Sequence, residues 1–367
     1  MEFFKQFFAK KCAVGGLDLG TKNLKLVQLN QKKDKTYELI SLLLGEPPSE
    51  TLKDGLVADP RALGDHIKQL IHSFKLKIEK VVGVASGQLV VLRPIHMAKL
   101  GPKELNQALK FQAGDYLPYS AEDAMIRGMI LKPELEEDPT QMEVLLVAAP
   151  NELVKNTQDV IKFSGLSPAA VDMEPFALLS LLSISVEPEV LSKTISLVHI
   201  GASYTSINIY DNGNLRQSRI IKIAGNRFTE VISQALDISF EEAEKVKEER
   251  GIIRVENDAT PVNPTTMRIF NTITPVLSQL VKEIRRSFDY YERQFNGSVD
   301  CILLSGGSAK FENIDSYISN ELGIKCSIIN PFRKIDISKV PGYDRETLEE
   351  LAPSLTVALG LALRSFV

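Results

Sequence analysis

The pattern of apolar and polar positions repeats about half a chain apart. Residues 12–44 form three short apolar runs, separated by a turn at Gly20 and a polar loop at 31–35. Residues 195–223 show the same order, with a turn at Gly201 and another at 211–213. Alternating apolar runs bounded by glycine and polar turns predict β-strands. Two copies of strand, turn, strand, turn, strand therefore predict a duplicated α/β fold.

The spacing of apolar residues predicts helices and further strands around these copies. Helical spacing predicts helices over 60–75, 103–116, 151–163, 240–250, 275–295 and 311–322. Short apolar runs predict strands over 80–86, 89–95 and 143–149, and one that ends at Asp172 and Glu174. A third glycine turn, Ser305-Gly306-Gly307-Ser308, follows an apolar run late in the chain.

The order of these elements predicts two domains and one insertion. We expect the following boundaries: an amphipathic segment at 1–11, a first domain at 12–88 and 151–190, an inserted subdomain at 89–150, and a second domain at 191–367 with a helical subdomain at 226–264. A chain of 367 residues that is 44% hydrophobic is long enough for two cores of this size.

The composition of the chain indicates which partners and which cellular compartment to expect. A net charge of −4, without aromatic residues interleaved with basic ones, argues against a nucleic-acid partner. Three cysteines, without metal-ligand spacing or an even count, favour a reducing cytosol. Phe3, Phe4, Phe7 and Phe8 lie at helical spacing beside lysines. They predict either an amphipathic segment that contacts an anionic membrane surface or partner, or an N-terminal turn that packs against the folded domain.

The first glycine turn carries candidate anion-binding chemistry. Gly20 lets the backbone come close to a ligand, and the amides of Thr21, Lys22 and Asn23 follow as donors for an anion such as phosphate. Asp18 could hold the water shell of a Mg²⁺ ion. The same residues are also compatible with an ordinary β-hairpin whose turn contains a glycine.

The three glycine turns, in this order, resemble those of the actin and heat-shock ATPases. The resemblance implies an actin-like ATPase fold, which is a duplicated ribonuclease H-like α/β fold with two domains around a nucleotide cleft. It implies ATP and Mg²⁺ as cofactors, with the metal at Asp18. The nucleotide-binding positions that it implies are Gly20, Thr21, Lys22, Asn23, Lys25, Gly201, Ala202, Ser203, Tyr204, Thr205, Glu283, Arg286, Gly306, Gly307 and Ser308. Each has a structural alternative, as a glycine turn or a solvated helix face.

Two positions bear on whether ATP is hydrolysed. Glu174-Pro175 resembles an element of these ATPases whose glutamate lies near the attacking water, so Glu174 is a candidate for orienting it. A carboxylate that stabilises a helix N-terminus is the alternative. At the second turn the superfamily usually has an aspartate, and this chain has His199. A neutral imidazole cannot replace that charge beside Mg²⁺-bound water, so binding without turnover is expected.

Longer segments resemble one family more closely. Residues 17–27, 283–291, 305–309 and 351–364, together with Tyr-Leu-Pro-Tyr at 116–119 and Ile-Gly-Ala-Ser at 200–203, are similar to the PilM family of type IV pilus machines. That resemblance implies a cytoplasmic adaptor that is peripheral to the inner membrane and serves pilus assembly and twitching motility. It implies a groove beside residues 89–150 that holds the cytoplasmic tail of a PilN-like bitopic protein. Contacts with other inner-membrane and motor components, and a homo-oligomeric ring, are further expectations.

Two other functions stay open at this point. The same fold could serve an active ATPase or a small-molecule kinase, with Glu174, Asp172 or Asp211 as the base. It could also serve a filament-forming membrane anchor of the FtsA kind, with the phenylalanine-rich start as its membrane contact. The sequence alone does not separate pilus, secretion and DNA-uptake systems.

Overall fold

The computed structural model describes residues 14–53, 55–251, 253 and 264–366. The predicted amphipathic segment at 1–11 and Cys12 lie outside these residues. The contacts between backbone positions divide the chain into two units. The first takes in the chain up to residue 180, residues 214–218 and the chain from 357 onward. The second takes in residues 181–213 and 219–356.

The elements follow the chain in this order. The strands are β1 (Gly15–Leu19), β2 (Leu24–Gln31), β3 (Tyr37–Gly45), β4 (Leu52–Lys53), β5 (Leu56–Val57), β6 (Lys80–Ala85), β7 (Val91–Ala98), β8 (Ala124–Lys132), β9 (Gln141–Pro150), β10 (Ser167–Met173), β11 (Thr194–Ile200), β12 (Thr205–Asp211), β13 (Asn214–Ile221), β14 (Cys301–Ser305), β15 (Cys326–Ile328) and β16 (Ile335–Asp336). The helices are α1 (Pro60–Ser73), α2 (Pro102–Gln112), α3 (Asn151–Phe163), α4 (Glu174–Ser185), α5 (Pro188–Leu191), α6 (Gly225–Leu236), α7 (Phe240–Arg250), α8 (Pro264–Phe295), α9 (Ile314–Leu322), α10 (Arg345–Leu351) and α11 (Thr356–Leu363).

The two main sheets have the same strand order, which confirms the predicted duplication. In the first unit the order is β10-β6-β1-β2-β3, with β1 antiparallel to β2 and parallel to β6. The other sheet has the order β15-β14-β11-β12-β13, with β11 antiparallel to β12 and parallel to β14. The predicted strand–turn–strand copies are therefore β1–β3 and β11–β13.

Each sheet is buried by helices that the apolar periodicity predicts. In the first unit, α1 and α3 pack Leu63, Ile67 and Ile161 against Leu17 and Leu26 of the sheet. In the second unit, the core is formed by residues of β11, β12 and β14 together with α6, α8 and α9. The capping box of Ser239 and Glu242 is present at the start of α7, as the sequence predicts.

The segment at 89–150 forms a small sheet with one helix. Its strand order is β7-β9-β8, and both neighbours run antiparallel to β9. Helix α2 covers one face, with Leu105 and Leu109 in the core. The sequence analysis did not predict β8, because Gly128 interrupts its alternation. A Cβ at Gly128 would lie 2.3 Å from Leu109 Cδ1, so the glycine makes room for α2.

Two predicted helix boundaries are wrong. Helix α8 begins at Pro264 and contains Pro275, which the sequence analysis placed at the helix start. A proline inside a helix removes one hydrogen bond, but the buried stripe continues through Ile269, Ile273 and Leu277. Packing of this stripe thus outweighs the lost bond. The helix predicted from residue 311 instead begins at Ile314, after a short 3₁₀ turn at Gly307–Lys310.

The packing of α11 on α4 depends on Gly360, because a Cβ there would lie 2.0 Å from the carbonyl oxygen of Ala177. We predict that Gly360→Ala lowers the free energy of unfolding by about 1–3 kcal/mol through overpacking, although alanine normally stabilises a helix. Urea unfolding followed by circular dichroism measures this change. Gly114→Ala is the matched control, since nothing lies within 4 Å of its Cβ position. Equal midpoints for the two variants would contradict the argument.

Candidate functional site

The first glycine turn joins β1 to β2 in the first unit. A Cβ at Gly20 would lie 2.6 Å from the carbonyl oxygen of Asn23, so the turn closes only with glycine at this position. Thr21, Lys22 and Asn23 form the turn itself and are half-buried. The turn places Asp18 at the end of β1 directly opposite Lys25 on β2.

Asp18 and Lys25 form a largely buried ion pair. Lys25 Nζ lies 3.0 Å from Asp18 Oδ2, and the two side chains are 13% and 12% exposed. Lys25 Nζ also donates to the carbonyl oxygen of Asn23, at 3.2 Å. The carboxylate predicted to hold a metal and a lysine predicted to meet phosphate are therefore partners of each other.

The second glycine turn joins β11 to β12 in the second unit. The amide of Gly201 donates to the carbonyl oxygen of Tyr204, at 3.1 Å. The first two amides of α6 bind the turn from outside, with Gly225 donating to the Gly201 carbonyl at 2.9 Å and Asn226 to the Ala202 carbonyl at 2.8 Å. These bonds hold the backbone of the turn in one conformation.

The remaining residues of this turn lie beside the same helix. Ser203 is half-buried, and its Oγ lies 3.5 Å from Asn226 Nδ2. Thr205 is fully buried at the start of β12, and its hydroxyl donates to the carbonyl oxygen of Ile223, at 2.7 Å. The five residues that the sequence analysis assigned to the second turn therefore form the turn and the first residue of β12.

His199 stands in β11, two residues before Gly201. Its ring is buried, and Nδ1 lies at hydrogen-bond distance, 3.0 Å, from Ser305 Oγ at the end of β14. This position of the second unit thus holds an imidazole beside a serine hydroxyl, where the resemblance to actin-like ATPases leads us to expect a carboxylate.

The third glycine turn packs against the second. Gly306 has φ +91°, and a Cβ there would lie 2.3 Å from the carbonyl oxygen of Ile200, so both the conformation and the space require glycine. Ser308 Oγ donates to the carbonyl oxygen of Gly201, at 3.3 Å. Gly307 is exposed. The structure therefore brings these two predicted turns together within the second unit.

Glu283 and Arg286, the predicted adenosine positions, form an ion pair with each other on α8. Glu283 is also bound by Arg219, whose Nη2 lies 2.5 Å from Glu283 Oε2. Arg219 further donates to Ser287 Oγ at 3.2 Å. Glu283 is thus held by two arginines, and Arg286 extends into solvent with 68% of its side chain exposed. Their role in binding adenosine stays a prediction.

The sequence analysis missed a buried lysine beside the second turn. Lys247 on α7 is 8% exposed. Its Nζ donates to Thr229 Oγ1 at 2.8 Å, to Glu244 Oε2 at 2.5 Å and to the carbonyl oxygen of Gly225 at 3.3 Å. Gly225 is the residue whose amide binds Gly201. A Glu-x-x-Lys pair within a polar helix gives no signal of burial, because the same spacing is common on solvated helices.

The candidate carboxylates for hydrolysis lie in different surroundings. Glu174 is the first residue of α4 and is 4% exposed, whereas the sequence analysis placed it at the end of the preceding strand, which ends at Met173. Asp172 is paired with Arg364, whose Nε lies 2.6 Å from Asp172 Oδ2. Burial raises the pKa of the Asp172 carboxyl, against the opposing effect of the Arg364 guanidinium. Asp211 is the last residue of β12, and its Oδ1 accepts a hydrogen bond from the side-chain Nδ2 of Asn212, at 2.8 Å.

A family model described as "Type IV pilus assembly protein PilM" matches residues 16–366 of this chain. The chain belongs to the PilM family. The matched range contains all three glycine turns, the inserted segment and the carboxyl-terminal helix α11.

Solved structures agree with this assignment. A PilM–PilN type IV pilus biogenesis complex matches 98% of this chain and 100% of its own chain, with 29% identity and a TM-score of 0.83. MreB 5 of Spiroplasma citri bound to AMPPNP matches 96% of this chain and 95% of its own, with 16% identity and a TM-score of 0.56. The predicted actin-like ATPase fold is therefore confirmed. The MreB 5 structure of this fold has AMPPNP bound.

More distant similarity leads to cell-division proteins. The cell division protein FtsA of Neisseria meningitidis serogroup B is 26% identical over 264 residues, which cover 66% of this chain and 62% of that protein. The chain thus spans less than two thirds of the length of the curated FtsA relatives that it matches. No helix in the described part of this PilM-family chain is long and apolar enough to cross a membrane.

The Lys247 network generates a stability prediction. Lys247→Met removes the cation beside the Glu244 carboxylate, whose side chain is 15% exposed, and we expect this to lower the free energy of unfolding by about 2–4 kcal/mol. The double variant Glu244→Gln with Lys247→Met removes both charges and should recover a large part of that loss. Thermal unfolding of four proteins measures the coupling: the unaltered protein, Lys247→Met, Glu244→Gln alone and the double variant. Additive losses would show that the pair does not act as a unit.

Proposed function

We propose that this PilM-family protein is an ATP-binding adaptor of a type IV pilus machine, which lies in the cytoplasm against the inner membrane and holds the cytoplasmic tail of a PilN-like protein. The observation that carries the proposal is the likeness to the PilM–PilN complex along 98% of the chain. The tail is the proposed macromolecular partner, and ATP is the proposed ligand of the glycine turns.

The geometry of the turns supports ATP as the ligand. In the first unit the turn at Gly20 lies beside the Lys25 ammonium, a cation that is suitable for a phosphate group. In the second unit the turn at Gly201 is held rigidly by α6, and the buried Lys247 lies behind it. The Mg²⁺ expected at Asp18 fits the residues present less well, because Asp18 is already paired with Lys25.

We further propose that ATP acts as a ligand that shifts the chain between two states with different affinities for the tail. A ligand shifts such an equilibrium only as far as it prefers one state. The coupling is reciprocal, so the tail must raise the affinity for ATP by the factor by which ATP raises the affinity for the tail. His199 in place of a carboxylate agrees with slow or absent hydrolysis.

The tail would dock on the sheet face of the inserted segment that α2 leaves uncovered. Met125 and Met129 of β8 lie on this face, because they pair in register with Ala149 and Leu145 of β9. They are 40% and 36% exposed, whereas Ala149 and Leu145 are fully buried. Flexible methionine side chains suit an apolar peptide of irregular shape.

Buried contacts at both ends of β9 limit this face, on which the exposed Arg127 lies between the two methionines. At one end, Ala149 packs against Ala85 and Met173 of the first unit. At the other end, Glu143 is 5% exposed and its Oε2 lies 2.7 Å from Arg216 Nη1. The exposed methionines lie along the neighbouring strand between these contacts. The length of the face therefore favours a short extended peptide over a folded domain.

We expect the protein to bind ATP and to release little phosphate, and His199→Asp to raise magnesium-dependent release about tenfold or more by restoring a carboxylate. Calorimetry measures ATP binding, and a phosphate-release assay measures turnover. His96→Asp is the matched control, since His96 is an exposed residue of β7. No binding of ATP in any buffer would contradict the nucleotide proposal, and brisk release by the unaltered protein would contradict the role given to His199.

For the tail, we predict that Met129→Glu weakens binding of a synthetic peptide about tenfold or more, because docking would desolvate the new carboxylate. The peptide carries the cytoplasmic tail sequence of the PilN-like protein from the same cell, and fluorescence anisotropy measures its affinity. Phe111→Glu is the control, because Phe111 is 90% exposed on α2, which covers the opposite face of the same sheet. Loss of binding in Phe111→Glu alone would place the tail on the helix side.

A further inference from the structure

The polyphosphate of ATP needs positive charge at its binding site. Mg²⁺ normally supplies it, held by one or two carboxylates together with the phosphates. Whether this chain's residues fit that ion can be judged at each turn separately, from the donor atoms that surround it.

At the first turn, the donor set fits a divalent cation poorly. Asp18 is the acidic residue of this turn, and its Oδ2 already has the Lys25 ammonium at 3.0 Å. A Mg²⁺ ion on the same carboxylate would stand within a few ångströms of that ammonium, and both charges would be partly removed from water. Their repulsion would offset the attraction that Asp18 offers.

At the second turn, the corresponding position offers no carboxylate. His199 takes that place and is engaged with the Ser305 hydroxyl. The described residues contain no group of three or more histidine, cysteine, aspartate or glutamate side chains that could hold a metal ion. Of the two turns, only the first therefore offers Mg²⁺ a carboxylate at this position, and that carboxylate is already paired with an ammonium.

We propose that Lys25 supplies the positive charge that Mg²⁺ would otherwise bring, so that this chain binds metal-free ATP through its first turn. The proposal rests on ATP binding as the proposed function and adds the form of the nucleotide that is bound. In this account Asp18 positions the ammonium and does not hold a metal.

The position of the Lys25 ammonium supports this assignment. An ammonium carries three N–H donors. Among the described residues, Asp18 Oδ2 and the carbonyl oxygen of Asn23 accept two of them. Two fixed acceptors hold the ammonium in place and leave one donor for a phosphate oxygen.

Gly20 keeps side-chain atoms away from this ammonium. A Cβ at Gly20 would lie 3.1 Å from Lys25 Nζ and 2.6 Å from the Asn23 carbonyl oxygen, so only the hydrogen of a glycine fits there. Thr21 and Lys22, both half-buried, follow in the turn. A terminal phosphate at this turn would thus reach the Lys25 ammonium with no side chain of residue 20 in between.

The test compares ATP affinity by calorimetry in excess EDTA and in excess magnesium chloride. We expect the two dissociation constants of the unaltered protein to agree within about threefold. Lys25→Met should lose about tenfold or more of its affinity in EDTA, because a charge-assisted hydrogen bond is lost. Magnesium should restore part of this loss, since Asp18 is then released to interact with it.

Two further proteins keep the test decisive. Lys33→Met is the matched control, because it removes the same charge from an exposed loop residue. If Lys25→Met fails to fold with Asp18 unpaired, the double variant Asp18→Asn with Lys25→Met removes both charges. We expect this variant to bind ATP weakly in both buffers, because it has neither the ammonium nor the carboxylate.

The outcomes separate this inference from the function on which it rests. If EDTA lowers the affinity of the unaltered protein more than tenfold, the inference is overturned and ATP binding stands. If Lys25→Met binds ATP in EDTA as tightly as Lys33→Met, the ammonium has no such role and the inference is again overturned. If ATP binds in neither buffer, the proposed function fails and the inference fails with it.

Discussion

The closure of the two equivalent glycine turns is the constraint on which both candidate phosphate sites depend. A Cβ at Gly20 would lie 2.6 Å from the Asn23 carbonyl oxygen, and one at Gly201 would lie 2.9 Å from the Tyr204 carbonyl oxygen. In each case the backbone three residues later occupies the space of a side chain. A larger residue would open the turn and change the register of the following strand. That register sets Asp18 opposite Lys25.

Largely buried ion pairs join segments of the first unit that are far apart in sequence. Removing charges from water is costly, so such pairs contribute more to a unique arrangement than to net stability. Among the described residues these pairs are Glu143 with Arg216 and Asp172 with Arg364, whereas the pair of Asp18 and Lys25 lies within one hairpin. The pair of Glu143 and Arg216 fixes the inserted sheet beside residues 214–218, and that of Asp172 and Arg364 fixes the end of α11 beside β10.

The sequence predicts those parts of the structure that depend on local pattern. Strand alternation and glycine turns predict both copies of the fold, and Ser239 with Glu242 predicts the start of α7. Features that depend on tertiary contact could not be predicted in this way. Gly128 breaks the pattern of β8 only because Leu109 packs above it. Lys247 resembles a solvated helix residue until the fold buries it beside Gly225. The pairing of Asp18 with Lys25 follows from strand register, although both residues were already candidates.

The charges around the turns bear on how ATP would act. Hydrolysis requires negative charge to hold a metal and its water, and the second turn has the imidazole of His199 at that place, within hydrogen-bond distance of Ser305 Oγ. Binding requires positive charge, which the Lys25 ammonium of the first turn would supply. A protein that has the positive charge for binding ATP but lacks the negative charge for hydrolysing it would use ATP as a ligand that shifts a conformational equilibrium. The fraction of chains in the ATP-favoured state would then follow nucleotide occupancy and return when ATP dissociates. Such a chain would report whether ATP is present without consuming it, which is a role that an adaptor in an assembly machine can fill.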